Sequence, residues 1–237
     1  MVLPSIADKI RAYYGSVREP HDRDRSWEHC YKYFHENDPE TIRKDRKQAA
    51  LQLGFYLASW GMYRGSSFLL QYAYTVHEGI IDVVLDSKFS QLWNREFGSR
   101  STDVKLASLI LELCQNIEKV YYEPFAKPLN KNVSPILTTK VVLGTIGCFP
   151  AWDTYFDKGY RNCGFHPPSK LTVKFIEEIL QFCFGHLADF RSERIRIAGE
   201  QDMRDSLKPY PLMKLVDMYF HEIGVELDQT ESGSSKH

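Results

Sequence analysis

Residues 134–160 read S-P-I-L-T-T-K-V-V-L-G-T-I-G-C-F-P-A-W-D-T-Y-F-D-K-G-Y. The stretch predicts a helix, a short loop and a second helix that opens at Asp153. From Phe125 to Trp152 there is no acidic residue, only Lys127, Lys131 and Lys140. Asp153 ends that run at a helix entrance. An aspartate there is either an N-cap, worth about 1 kcal/mol, or a carboxylate held for chemistry, and the two roles are compatible.

Helical periodicity continues on both sides. Ser5–Val17 predicts a short helix capped by Ser5, and Ser26–Glu36 places Trp27, Cys30, Tyr31 and Phe34 on one face. Asp38-Pro39 reads as an N-cap followed by proline at the first helical position, and Gln48–Trp60 as a mostly buried helix. Long periodic helices are predicted over Phe68–Ser87, Thr102–Tyr122 and Lys170–Phe190, the last capped by Ser169. A final helix is predicted over Pro211–Gly224. No segment alternates with a period of two over a useful length. The expectation is an all-α fold of about eight to ten helices without internal repeats. Proline and glycine at 124–135 and 147–168 set the quoted stretch between two helical groups. A single bilobal domain over 1–226 is therefore expected, with lobes near 1–123 and 124–226, a cleft between them, and a mobile polar tail at 227–237.

The 237 residues are 43% hydrophobic and carry a formal net charge of -1, enough for one large packed domain. That balance weighs mildly against a nucleic-acid partner without excluding a local basic face. Arg43, Lys44, Arg46 and Lys47 form one basic cluster, read as a solvated helix face or a phosphate contact. Five cysteines without a C-x-x-C pair argue against a disulfide framework and against a four-cysteine metal cluster, and fit a reduced cytoplasmic setting. No apolar run is long enough to span a membrane, and no H-E-x-x-H is present, so neither membrane nor metal is expected. Residues 61–67, G-M-Y-R-G-S-S, bracket Tyr63 and Arg64 with glycines; with Trp60 they form either a ligand-cradling loop or a plain connection. Arg161 and His166 stand in an R-x4-H spacing similar to that of HEPN ribonucleases, a short pattern that arises easily by chance.

Thr138, Val141, Val142, Leu143, Gly147, Phe149, Pro150, Asp153 and Thr154 together resemble the core of helix-hairpin-helix DNA glycosylases. In that family an apolar helix ends at a glycine and a loop leads to Pro-x-x-Asp, whose Asp is catalytic. The resemblance covers roughly a tenth of the chain. It implies a two-lobed all-α fold, a DNA partner, no cofactor, and Asp153 as the essential carboxylate acting on a damaged or modified base. Two parts of the pattern are missing. The glycine hairpin before Thr138 is replaced by Lys131–Leu137, and the Schiff-base lysine of bifunctional members falls at Leu137. The implied enzyme is thus monofunctional and uses water, with Lys140 one helical turn away as a second catalytic candidate or a phosphate contact; a solvent-facing lysine is the plainer alternative. Trp60, Tyr63, Trp152 and Tyr155 are candidates for gripping the flipped base, by stacking worth roughly 1–3 kcal/mol per base; for Trp152 and Tyr155 core packing is the other reading. Arg64, Lys131, Ser134, Thr138 and Arg161 are candidates for DNA contact. The alternative function is a non-catalytic helical module for DNA or protein binding, and a further alternative is a HEPN-like ribonuclease built on Arg161 and His166. A monomer is expected.

Overall fold

The computed structural model describes residues 3–17, 19, 21–93, 104–201 and 209–234, and among them every regular element is helical. The α-helices are α1 (Ile6–Ser16), α2 (Ser26–Glu36), α3 (Pro39–Lys44), α4 (Arg46–Ser59), α5 (Glu78–Val84), α6 (Val104–Tyr121), α7 (Pro135–Thr145), α8 (Thr154–Asn162), α9 (Val173–Gly185), α10 (Leu187–Gln201) and α11 (Leu212–Ser234). The expected all-α class is what the chain adopts. No helix is long and apolar enough to cross a membrane among the described residues.

The helices outnumber expectation because predicted ones are interrupted. Phe68–Ser87 is not one helix: two 3-10 turns, Phe68–Gln71 and Tyr74–His77, precede α5, and Tyr72 and Ala73 between them are extended. Side-chain hydrogen bonds hold this shape against the periodicity. The Tyr72 hydroxyl donates to the Phe125 carbonyl at 3.1 Å, and His77 is held between Tyr63 (2.8 Å) and Tyr121 (2.7 Å). Asp45 breaks the helix begun at Pro39 and caps α4 through Gln48 N–H. The Lys170–Phe190 prediction divides at His186 into α9 and α10, and the N-cap of α9 is Thr172 rather than Ser169. Most of the basic cluster is engaged locally: Arg43 donates to the Leu85 carbonyl, Lys44 pairs with Glu40 and Arg46 with Asp82, while Lys47 is exposed.

The last helix does not stop at Gly224, and the tail expected from residue 227 is helical through Ser234. Gly224 is required by a close crossing of α11 with α8, not by a helix end. A Cβ on Gly224 would fall 2.0 Å from the Tyr155 carbonyl oxygen, and one on Gly159 would fall 1.9 Å from that of Phe220. Lys9 with Glu226, and Lys158 with Asp228 and Glu231, tie the extended end to α1 and α8.

A continuous hydrophobic core joins the two halves of the chain. Helix α1 packs on α10 and α11, α2 and α4 pack on α7, and α6 packs on α7 and α9. The quoted stretch is central to it, since every residue of α7 from Leu137 to Thr145 is buried. The C-terminal carbonyls of α7 would be orphaned there, and side chains satisfy two of them. Trp27 Nε1 donates to Leu143 O at 3.1 Å and His35 Nε2 to Thr145 O at 2.9 Å. Gly147, at φ 75°, takes the left-handed turn that ends the helix, and its N–H bonds to Val142 O.

Candidate functional site

The loop after α7 is pinned from two sides. Ala151 N–H donates to Asp217 Oδ1 on α11 (3.1 Å), and Trp152 N–H to Thr139 Oγ1 on α7 (3.0 Å). The chain then delivers Asp153 to the start of α8. Its Oδ1 accepts from Tyr155 N–H and Phe156 N–H, both at 3.1 Å, so the residue is a true N-cap. The cap uses one oxygen. Oδ2 lies 3.6 Å from Lys140 Nζ.

These two residues stand on the wall of a cavity of about 360 Å³. Both halves of the chain contribute to it: Tyr13, Arg23 and Asp24, the 59–68 loop, the entrance of α7, the entrance of α8, and His221 of α11. Lys140 is not solvent-facing; it is 6% exposed, and its Nζ also donates to the Trp60 carbonyl at 2.9 Å. Burial pulls its pKa down, and the Asp153 carboxylate opposes that shift. The Trp60 ring has two ammonium groups near it, Lys140 at 5.5 Å and Lys214 at 4.6 Å from the ring centroid.

Of the residues singled out in the sequence, Asp153, Lys140, Trp60, Arg64, Ser134 and Tyr155 line this cavity together. Gly61 and Gly65 are both left-handed, at φ 75° and 58°, and Gly61, Met62 and Arg64 of this loop line the cavity. Ser134 caps α7 by accepting from Leu137 N–H. Tyr155, partly exposed, meets His221 edge-on at 5.1 Å.

The other candidates lie elsewhere. Tyr63 is turned to His77 by its hydrogen bond. Trp152 is buried against Phe175, with Nε1 donating to Asp157, so its ring is core. Thr138 is buried and spends its hydroxyl on the Pro135 carbonyl. Arg161 pairs with Asp157 at 2.7 Å on the outer face of α8. Lys131 is exposed and does not line the cavity, although the adjacent Asn132 does. His166 lies beyond the end of α8, past the left-handed Gly164, so the R-x4-H pair does not share a helix.

Sequence reasoning missed the contribution of α1 and α11. Lys214 is buried; Nζ donates to Asp217 Oδ2 at 2.8 Å and to Tyr13 Oη at 3.1 Å. Burial alone would lower its pKa, but Asp217 and Tyr13 outweigh burial and raise it. His221, between Tyr13 (5.4 Å) and Tyr155, has a buried Nδ1 with no hydrogen-bond partner among the described residues, and burial lowers its pKa. One signal was available: Lys214 and Asp217 interrupt the apolar run Leu212–Phe220 at the spacing of one helical turn. The five cysteines are free and buried. No cluster of three or more His, Cys, Asp or Glu side chains is placed to hold a metal among the described residues. No family model, no curated protein and no solved structure matches the chain.

Proposed function

We propose that the protein is a monofunctional DNA glycosylase that hydrolyses the N-glycosidic bond of a damaged or modified base turned out of the duplex. The observation that carries this reading is the position of Asp153: a carboxylate with one oxygen locked by the α8 backbone and the other turned toward Lys140, on the wall of an aromatic cavity. In this reading the cavity is the cleft between two glycosylase-like lobes, and residues of both halves of the chain border it. The enzyme acts as a monomer in the cytoplasm and needs no cofactor.

Breaking the bond builds positive charge on the deoxyribose. A fixed anion beside C1′ lowers that barrier, because the N-cap bonds have already oriented it and no reorganisation is needed as the charge develops. Water adds to C1′ with Asp153 as the orienting base. Lys140 pairs with the carboxylate oxygen that the cap leaves free. Trp60 and Tyr155 contact the extruded base. Arg64, Ser134 and Asn132, which line the same cavity, meet the flanking phosphates. Duplexes carrying a panel of modified bases, assayed for abasic sites, test the proposal: base release that disappears in Asp153→Asn supports it.

A second reading is a non-catalytic helical binding module. It is favoured by the two backbone N–H bonds at Asp153, which by themselves account for an aspartate at that position. Under this reading DNA or a protein partner binds and no duplex yields an abasic product.

A further inference from the structure

Lys214 and Asp217 form an ion pair whose side chains are each 3% exposed, an arrangement costly to build in an apolar interior. The pair lies beneath the aromatic wall of the cavity. Lys214 Nζ stands 4.8 Å from the Tyr13 ring centroid, 5.1 Å from Trp27 and 4.6 Å from Trp60. Its hydrogen bond to Tyr13 has only one possible direction. An ammonium has donors and no acceptor, so the Tyr13 oxygen accepts and its own proton stays unspent. No other partner of the Tyr13 hydroxyl occurs among the described residues. Tyr13 lines the cavity opposite in role to Asp153: the carboxylate is an acceptor, and the phenol is a donor backed by a buried cation.

Resting on the glycosylase reading, we infer that Tyr13 is the hydrogen-bond donor to the departing base, that Lys214 is its positioning residue, and that the substrate class is an uncharged base bearing a carbonyl acceptor rather than a cationic alkylated base. When the C1′–N bond of a neutral base breaks, its electron pair passes to the base, which leaves as an anion. The negative charge spreads onto the carbonyl oxygen, and a donor aimed there stabilises it. Water oxygen then bonds to C1′ and gives up a proton through Asp153, and the released base takes up one proton from solvent. A cationic alkylated base leaves as a neutral molecule and gains little from such a donor. It would also have to stack on Trp60 beside two ammonium groups.

The test is single-turnover base release from duplexes containing uracil, hypoxanthine or 7-methylguanine, by the protein and by Tyr13→Phe. A thermal melt checks that the variant is folded. The expected result is release of a carbonyl-bearing neutral base, slowed about 100-fold in Tyr13→Phe at saturating protein. Preferential release of 7-methylguanine, or equal slowing of charged and neutral bases, overturns the inference. If no duplex yields an abasic site, the glycosylase reading fails by itself. Binding of free uracil and hypoxanthine, followed by tryptophan fluorescence, then decides Tyr13. Affinity reduced about tenfold or more in Tyr13→Phe keeps it as the base-contacting donor, an effect of the size expected for one lost hydrogen bond; unchanged affinity, or no binding, overturns that role.

Discussion

Replacing Asp153 with asparagine separates the observed cap from the proposed catalytic role. Asparagine caps helices about as well as aspartate, so the bonds to Tyr155 N–H and Phe156 N–H survive the change. The negative charge and the pairing with Lys140 do not. Breaking a fully buried pair costs roughly 3–5 kcal/mol. The cost here is smaller, about 1–2 kcal/mol by that scale, for two structural reasons. The Asp153 side chain keeps 17% exposure, and Lys140 retains the Trp60 carbonyl and can release its proton, since burial already pulls its pKa down. In the proposed glycosylase the loss to catalysis is larger. Removing a preorganised group that stabilises transition-state charge lowers the rate about 10²- to 10³-fold. Urea melts report the first number and single-turnover abasic-site formation the second. The variant should therefore stay folded with base release nearly abolished, whereas Asp153→Ala should lose both rate and the cap, about 1 kcal/mol more. A variant that releases base at the parental rate would refute the catalytic assignment and leave Asp153 a structural cap.

The remaining predictions follow from the same geometry. Borohydride should not trap the protein on a substrate duplex, because Lys140 Nζ is committed to the Trp60 carbonyl and faces Asp153; a trapped adduct lost in Lys140→Gln would establish lyase chemistry instead. Gly159→Ala should destabilise the fold by about 3 kcal/mol or more in urea melts, since the new Cβ would meet a backbone carbonyl 1.9 Å away that cannot turn aside. Burial pushes the His77 pKa down from 6.5 to about 3. The unfolded chain therefore takes up that proton first as pH falls. His77's contribution is complete above its unfolded pKa of 6.5 and drains away as pH drops toward 3, at up to about 1.4 kcal/mol per pH unit. His77→Gln should flatten that part of the stability–pH curve, and an unchanged slope would count against a neutral buried imidazole.

What the chain determines by itself is local. Apolar residues at helical spacing, the caps at Ser5, Asp38 and Asp153, and the turn at Gly147 are legible because each depends on residues within one or two turns. The same local logic placed Asp153 at a helix mouth and Arg64 on a glycine-bracketed loop. It failed where distant groups compete with periodicity. Tyr72 and His77 find partners at Phe125 and Tyr121, and the expected helix over 68–87 breaks to reach them. Gly224 looked like a helix end, yet its missing side chain admits the Tyr155 carbonyl from α8. The direction of each side chain was decided only by tertiary packing. Tyr63 and Trp152 carry the right rings for a binding site but turn to His77 and Asp157, whereas Tyr13 and His221, some two hundred residues apart in sequence, meet edge-on beside the cavity. Sequence spacing encodes which face of a helix is apolar; which faces meet across a cleft depends on the packing of all the helices at once.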